Sequence, residues 1–336
     1  MPSLEALVGL QLVVGVAGTV LDDEWKRHLA AIQPGGFISF ARNCQSAYQL
    51  RALIAQVDEA SARRQLVMID HEGGRVGRFA AFGDGITRFG DALTIGRTKQ
   101  PNDVRRQGEV EAAELKALGI HVNLAPCVDV LAEGCDPIIG DRSYGNNPER
   151  VSAMAVARIR GLQTGGVSAC AKHFPGLGAV PKDPHKHLPT VGLDWTVMRT
   201  AHLVPFVEAI KTRVDTIMSS HVCYPKLDTA PDWPATFSLR LITDLLRHEL
   251  GFEGLILTDD LEMGALGRLC PIGESAVRAV EAGHDVLLVC EGMNAQREVF
   301  EALGAAYRDG RLPKAELDRR AERIEAFRRR YFSSAS

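Results

Sequence analysis

The sequence predicts a single (β/α)8 TIM-type barrel with long βα loops and an extra C-terminal helix, and three observations carry that prediction. Eight short apolar runs rich in β-branched residues are each followed by a segment of helical periodicity. Loops from helix to strand are short, whereas those leaving strands three to seven are far longer. No shift in composition marks a second domain within the 336 residues, a length that one α/β barrel commonly reaches. A doubly wound open sheet is the rival that the same alternation allows, and the count of eight units favours closure.

The expected strands are 12–17, 36–41, 66–70, 120–124, 167–171, 215–220, 254–258 and 285–290. The helices that follow them cover 22–32, 46–60, 102–118, 148–163, 194–212, 238–250, 272–282 and 293–307. Asn102, Ser238 and the pair Pro148–Glu149 are start signals, and Gly119, Gly165 and Gly251 sit just past helix ends. A charged helix over 314–331 closes the chain, its arginines interleaved with acids and with Leu317, Ile324 and Phe327. That pattern predicts a solvated helix with one apolar stripe against the barrel, in preference to a nucleic-acid-binding arm.

The opening stretch MPSLEALVGLQLVVGVAG reads as the first strand. No basic residue precedes its apolar run, which argues against a signal peptide, and the run is too short to span a bilayer. A cytoplasmic protein is expected. The chain is 46% hydrophobic and 24% charged with a net charge of −3, so nothing general draws it to nucleic acid or an anionic membrane. Its seven cysteines are scattered without a CxxC pair and read as reduced core thiols.

The long loops, at about 71–101, 125–147, 172–193, 221–237 and 259–271, all leave strands at one end of such a barrel, where barrel active sites lie. Asp70 ends the third strand in IDHEGGRVGRF, placed to accept hydrogen bonds from ligand hydroxyls or to cap loop amides. A phosphate loop is disfavoured there, because no lysine follows the glycines. Arg142, in DPIIGDRSYG, suits either a polar ligand or a pairing with Asp141 or Asp136. Asp259 is the first residue past the seventh strand in GLILTDDLEMGAL, with Asp260 and Glu262 behind it. The stretch AKHFPGLGAVPKDPHKHLP carries Lys172, His173, Asp183, His185 and His187 on a loop stiffened by Pro181, Pro184 and Pro189. His185 and His187 form an HxH with Asp183 as a third potential metal ligand, but a proline-bearing loop is a poor metal scaffold. His28, His202 and His248 fall within helices and read as structural.

IDHEGGRVGRF, IIGDRSYG, AKHFPGLG followed by DPH, and ILTDDLEMGA together resemble the β-N-acetylhexosaminidases of glycoside hydrolase family 3, specifically the single-barrel bacterial NagZ type. The resemblance runs from about Leu12 to the end of the barrel, with four motifs in order. It implies a retaining enzyme that removes terminal N-acetylglucosamine from muropeptide or anhydro-muropeptide fragments during cell-wall recycling, with no cofactor and no metal, as a monomer. By the same resemblance Asp259 matches the nucleophile, His185 the acid/base and Asp183 its partner. Asp70, Arg142, Lys172 and His173 match sugar-binding positions. Two departures stand out: Leu177 replaces a histidine common in relatives, and Pro184 a serine.

That division of labour suits the chemistry. Retaining hydrolysis needs one group to attack the anomeric carbon and another to protonate the leaving oxygen. Histidine, with a reference pKa of about 6.5, is well matched to the second task near neutrality. Two rivals stay open at this level. One is a phosphorylase on the same scaffold, since histidine does not repel phosphate as a carboxylate does. The other is a metal-dependent amidohydrolase, or a sugar-binding barrel without catalysis.

Overall fold

A computed structural model describes residues 2–135, 137–181 and 188–332, with Asp84 by its backbone alone. Eight strands pair in parallel, each with the next and β8 with β1, into one closed barrel. They are β1 Leu12–Val14, β2 Gly36–Ser39, β3 Leu66–Ile69, β4 Val122–Asn123, β5 Ser168–Phe174, β6 Thr216–Ser219, β7 Leu255–Asp260 and β8 Val286–Val289. Alternation along them builds two cores. Val13, Ile38, Met68, Val122, Leu255, Leu257 and Leu288 fill the barrel interior, while Val14, Phe37, Val67, Ile69, Ile217, Ile256 and Leu287 meet the surrounding helices.

The opening run corrects the strand reading: Leu4–Leu10 is a helix, α1, and only Leu12–Val14 pairs in the sheet. Ser3 caps it, its hydroxyl accepting from the Ala6 amide, and Val8 to Leu10 are buried. The last helix, Lys314–Phe332, presents the expected stripe, with Ala321, Ile324, Phe327 and Tyr331 joining the interior core from below. Its Arg320 and Arg328 are buried and donate to backbone carbonyls of His284, Val280, Gly35 and Arg64. These cations are spent on the base of the barrel. All seven cysteines are free, five of them buried.

Three other elements differ from expectation in ways that matter for the site. β5 continues through Phe174, so Lys172 and His173 belong to a strand and not to the loop after it. A register irregularity between Lys172 and Phe174 re-aims adjacent side chains there. β7 likewise extends through Asp260. The β3 exit is partly helical, carrying a short helix, Ala92–Thr98, before the helix Pro101–Ala117. No helix among the described residues is long and apolar enough to cross a membrane.

Candidate active site

Asp70 follows β3 directly, and Glu72 lies two residues on, the spacing that returns a side chain to the same side of an extended chain. Both carboxylates meet Lys172 from β5: its Nζ lies 2.5 Å from Asp70 Oδ1 and 2.6 Å from Glu72 Oε1. Arg142, in the turn Gly140–Arg142, forks onto Glu72, with Nε 2.9 Å from Oε2 and Nη2 2.7 Å from Oε1. Asp141 pairs with Arg75 instead, so the Asp141 alternative for Arg142 is set aside, and Asp136 lies outside the described residues. Arg78 completes the group, donating to the Asp70 carbonyl at 2.9 Å and to its Oδ2 at 2.7 Å.

His173 stands between two partners that fix its protons. Arg142 Nη2 is 3.3 Å from its Nε2, and the guanidinium only donates, so Nε2 accepts. The Nδ1–H then donates to Asp129 Oδ2 at 2.7 Å, and Asp129 Oδ1 accepts from the Leu177 amide at 2.6 Å. Leu177 places an apolar side chain at the pocket edge. Gly178 is required one step later, because a Cβ there would lie 2.1 Å from the Val130 carbonyl of the β4 exit.

A buried layer holds this wall in place. Arg158, fully buried, forks onto Glu111 and donates to the carbonyls of Glu72 at 2.6 Å and His71 at 3.1 Å. Asn123, the last residue of β4, exchanges hydrogen bonds with the His71 backbone. Glu72, Asp129, Arg78 and Arg158 were missed by sequence reasoning. The i, i+2 relation of Asp70 and Glu72 was a signal that pointed to the first of them.

Across the pocket, Asp259 receives the Asp260 amide on Oδ1 at 2.8 Å and has no ion pair among the described residues. Burial raises its carboxyl pKa, but His173, His221, the Asp260 amide and Lys172 outweigh it and hold the group below the usual carboxylate range. Asp260 behaves oppositely: burial, with help from Glu262 and Asp259, pushes it up to about 6. For Glu72 burial again opposes ionisation, and Lys172 and Arg142 overcome it, placing the carboxyl far below its ordinary value. His221 supports the end of β7, its Nε2 lying 2.9 Å from the Asp260 carbonyl.

One cavity of about 320 Å³ at the C-terminal mouth of the barrel brings together Asp70, Arg142, Lys172, His173 and Asp259. Asp183, His185 and His187, and with them the HxH motif, lie outside the described residues. Cys127, Asp129 and His173 are the described residues whose ligand atoms cluster within 4.8 Å. Their protons already serve Asp129, and burial together with Asp129 raises the Cys127 thiol pKa well above normal, so it is a poor thiolate donor. His28 bonds Gln296 in the core, as a structural histidine does.

A closed parallel barrel with an ionised aspartate facing a wall of hydrogen-bonding charges at its mouth is the arrangement of a carbohydrate-processing barrel enzyme. Residues 7–327 match the Glycosyl hydrolase family 3 N terminal domain. The chain belongs to glycosyl hydrolase family 3 and is a glycoside hydrolase of the kind its β-hexosaminidase relatives represent. It is 37% identical over 298 residues to a beta-hexosaminidase of Nitrosomonas eutropha, an alignment covering 87% of this chain and 84% of that one. A glycoside hydrolase family 3 beta-N-acetylglucosaminidase from Paenibacillus superposes with a TM-score of 0.94 at 35% identity. That match covers all of this chain and only 64% of the longer Paenibacillus protein. NagZ from Neisseria gonorrhoeae, solved in complex with N-trifluoroacetyl-D-glucosamine, superposes with a TM-score of 0.77 at 32% identity over 97% of each chain.

Proposed function

We propose that the protein is a retaining exo-β-N-acetylglucosaminidase that releases terminal N-acetylglucosamine from muropeptides in the cytoplasm, acting as a monomer in cell-wall recycling. The observation that carries this reading is an ionised Asp259, without an ion pair among the described residues, facing a charge-compensated wall across one cavity. The bound glucosamine derivative of the Neisseria relative supports the choice of sugar.

In this reading the wall holds the sugar and Asp259 reacts with it. Asp70 accepts from ring hydroxyls, and Lys172, Arg142 and Arg78 donate to hydroxyls or to the acetamide. Their orientation is fixed by the ion pairs described above and costs no rearrangement on binding. An Asp259 carboxylate oxygen attacks the anomeric carbon, and the glycosidic oxygen leaves with a proton from His185, oriented by Asp183. The bond to Asp259 is then broken by water, which gives its proton back to His185. The assignments to His185 and Asp183 rest on the sequence resemblance. Metal independence belongs to the same proposal.

The test separates the two roles. Turnover of a chromogenic N-acetylglucosaminide is compared with the matching glucoside, with and without phosphate, and a 5-fluoro sugar traps the intermediate for mass spectrometry. The label is expected on Asp259, and its appearance on any other residue refutes the scheme. His185→Ala is expected to spare glycosylation by an activated aryl glycoside while slowing the second step, giving a burst. Equal losses for activated and natural substrates would remove the acid role. Activity lost to a chelator and restored by zinc would remove metal independence.

A further inference from the structure

The catalytic face carries a second cavity, larger than the sugar pocket at about 430 Å³. It is walled by the short helix Ala92–Thr98, by the β4 exit at Leu131–Glu133 and by the start of the helix Pro148–Thr164. The walls are built tightly. Gly96 lies so close to the Tyr144 carbonyl that a Cβ would sit 2.1 Å from it, and Arg150 Nε donates to the Gly96 carbonyl at 2.9 Å.

Its charges differ in kind from those of the sugar wall. Arg97 and Glu133 are exposed, face the same cavity and have no hydrogen-bond or ion-pair partner, either with each other or among the other described residues. Asn146 is likewise unpartnered, and among the described residues Asn147 uses its Oδ1 alone, on the Arg150 amide, which leaves its NH2 group to donate. The 17-residue helix that Asn147 caps directs its positive end to the same side. A cation, an anion, free amides and a helix start around one cleft suit a ligand with carboxylates, peptide groups and an ammonium.

The two cavities share a wall. Arg142 lines the sugar pocket and Gly145 the second cavity, three residues apart, or about 10 Å of extended chain. Ala132 of the second cavity also donates to the Gly178 carbonyl, immediately after Leu177 of the first. A peptide of two or three residues attached to the sugar that leaves would span that distance.

We infer that this cavity is a subsite for the peptide of the leaving group, with a peptide carboxylate on Arg97 and the helix start, and a peptide ammonium on Glu133. The inference rests on the muropeptide reading above. It makes the protein discriminate among leaving groups at a place that does not touch the reacting atoms.

The experiment measures kcat/KM for an N-acetylglucosaminyl–anhydro-N-acetylmuramic disaccharide with and without an acidic tripeptide bearing a free amine, beside a chromogenic N-acetylglucosaminide. The tripeptide is expected to raise kcat/KM about tenfold, mainly through KM, as one or two exposed charge pairs allow. Arg97→Glu should abolish that advantage, Arg97→Lys should keep most of it, and both should turn over the chromogenic substrate normally. Glu133→Gln should cost a few-fold for the free-amine peptide and nothing once its amine is acetylated. An unchanged ratio of peptide-bearing to bare disaccharide in Arg97→Glu, with chromogenic turnover intact, overturns the subsite and leaves the glycosidase reading standing. Absence of chromogenic turnover in the unaltered protein overturns both.

Discussion

The mouth and the base of this barrel are both crowded with ion pairs, yet the pairs end on different things. At the mouth, Asp70, Glu72, Lys172 and Arg142 end on one another around a cavity. At the base, charges end on the frame. Asp285, which precedes β8 and has no exposed side-chain surface, takes Arg247 at 2.7 Å, pairs with Arg323 of the last helix and accepts the Ile256 amide at 2.9 Å. Asp215, which precedes β6, takes Arg330 and the Tyr331 hydroxyl in the same way. Acids at strand starts thus catch the C-terminal helix, while acids at strand ends face the ligand. A buried pair is weak evidence for net stability, but removing one member strands the other. The contrast therefore predicts where a substitution costs folding and where it costs turnover.

The largest effect is expected at Asp259→Ala, with kcat reduced on the order of 10⁴-fold because in the proposed mechanism no other group attacks the anomeric carbon. Its melting temperature should stay close to that of the parent, since among the described residues the Asp259 side chain is tied to its neighbouring amide alone. Asp285→Ala is the converse: about 3–5 kcal/mol of stability lost in denaturant melts, from leaving Arg247 and Arg323 unpaired, with unchanged turnover per folded molecule. A kcat loss without a stability loss there would break the comparison.

Glu72→Gln lies between the two. The amide keeps the shape but cannot balance Lys172 and Arg142, so about 10²-fold in kcat/KM and roughly 2 kcal/mol of stability should go together. The smallest effect is a pH signature of Asp260. Its folded-state pKa of about 6 lies above the ordinary 3.8, so the folded protein holds this proton more tightly than the unfolded chain. The stability this contributes is present in full below about 3.8 and is lost as pH rises to about 6. Melting temperatures of the parent and Asp260→Asn, taken from pH 4 to 8, should diverge across that window, with the parent falling relative to the variant. Parallel curves would assign the proton elsewhere.

The strands were legible because each is a compact apolar run, and periodicity separated its interior from its exterior side chains, as at Leu255, Ile256 and Leu257. The first helix was not. Its apolar residues are separated from those of β1 by Gln11 alone, and only Ser3 signalled a helix start. At the site, Asp70, Arg142, Lys172, His173 and Asp259 were found by their positions at strand exits and by motif, and the structure brings all five to one cavity. Adjacent residues in a regular strand point to opposite faces. That Lys172 and His173 both reach the pocket depends on the β5 irregularity, which no periodicity announces. Arg158 and Glu111 sit mid-helix, in segments whose pattern gave no hint that a buried ion pair holds the β3 exit.

The sugar wall also has a consequence for the conditions under which the site works. Asp70, Glu72 and Asp129 are three acidic groups, Lys172, Arg142 and Arg78 three basic ones, and His173 stands between Asp129 and Arg142. A neutral sugar therefore meets a wall whose ionic balance is already closed. It displaces no counterion and exchanges no proton with the wall, so its affinity should be indifferent to ionic strength and its binding heat the same in buffers of different ionisation enthalpy. Added salt is expected to leave the proposed grip on the sugar unchanged.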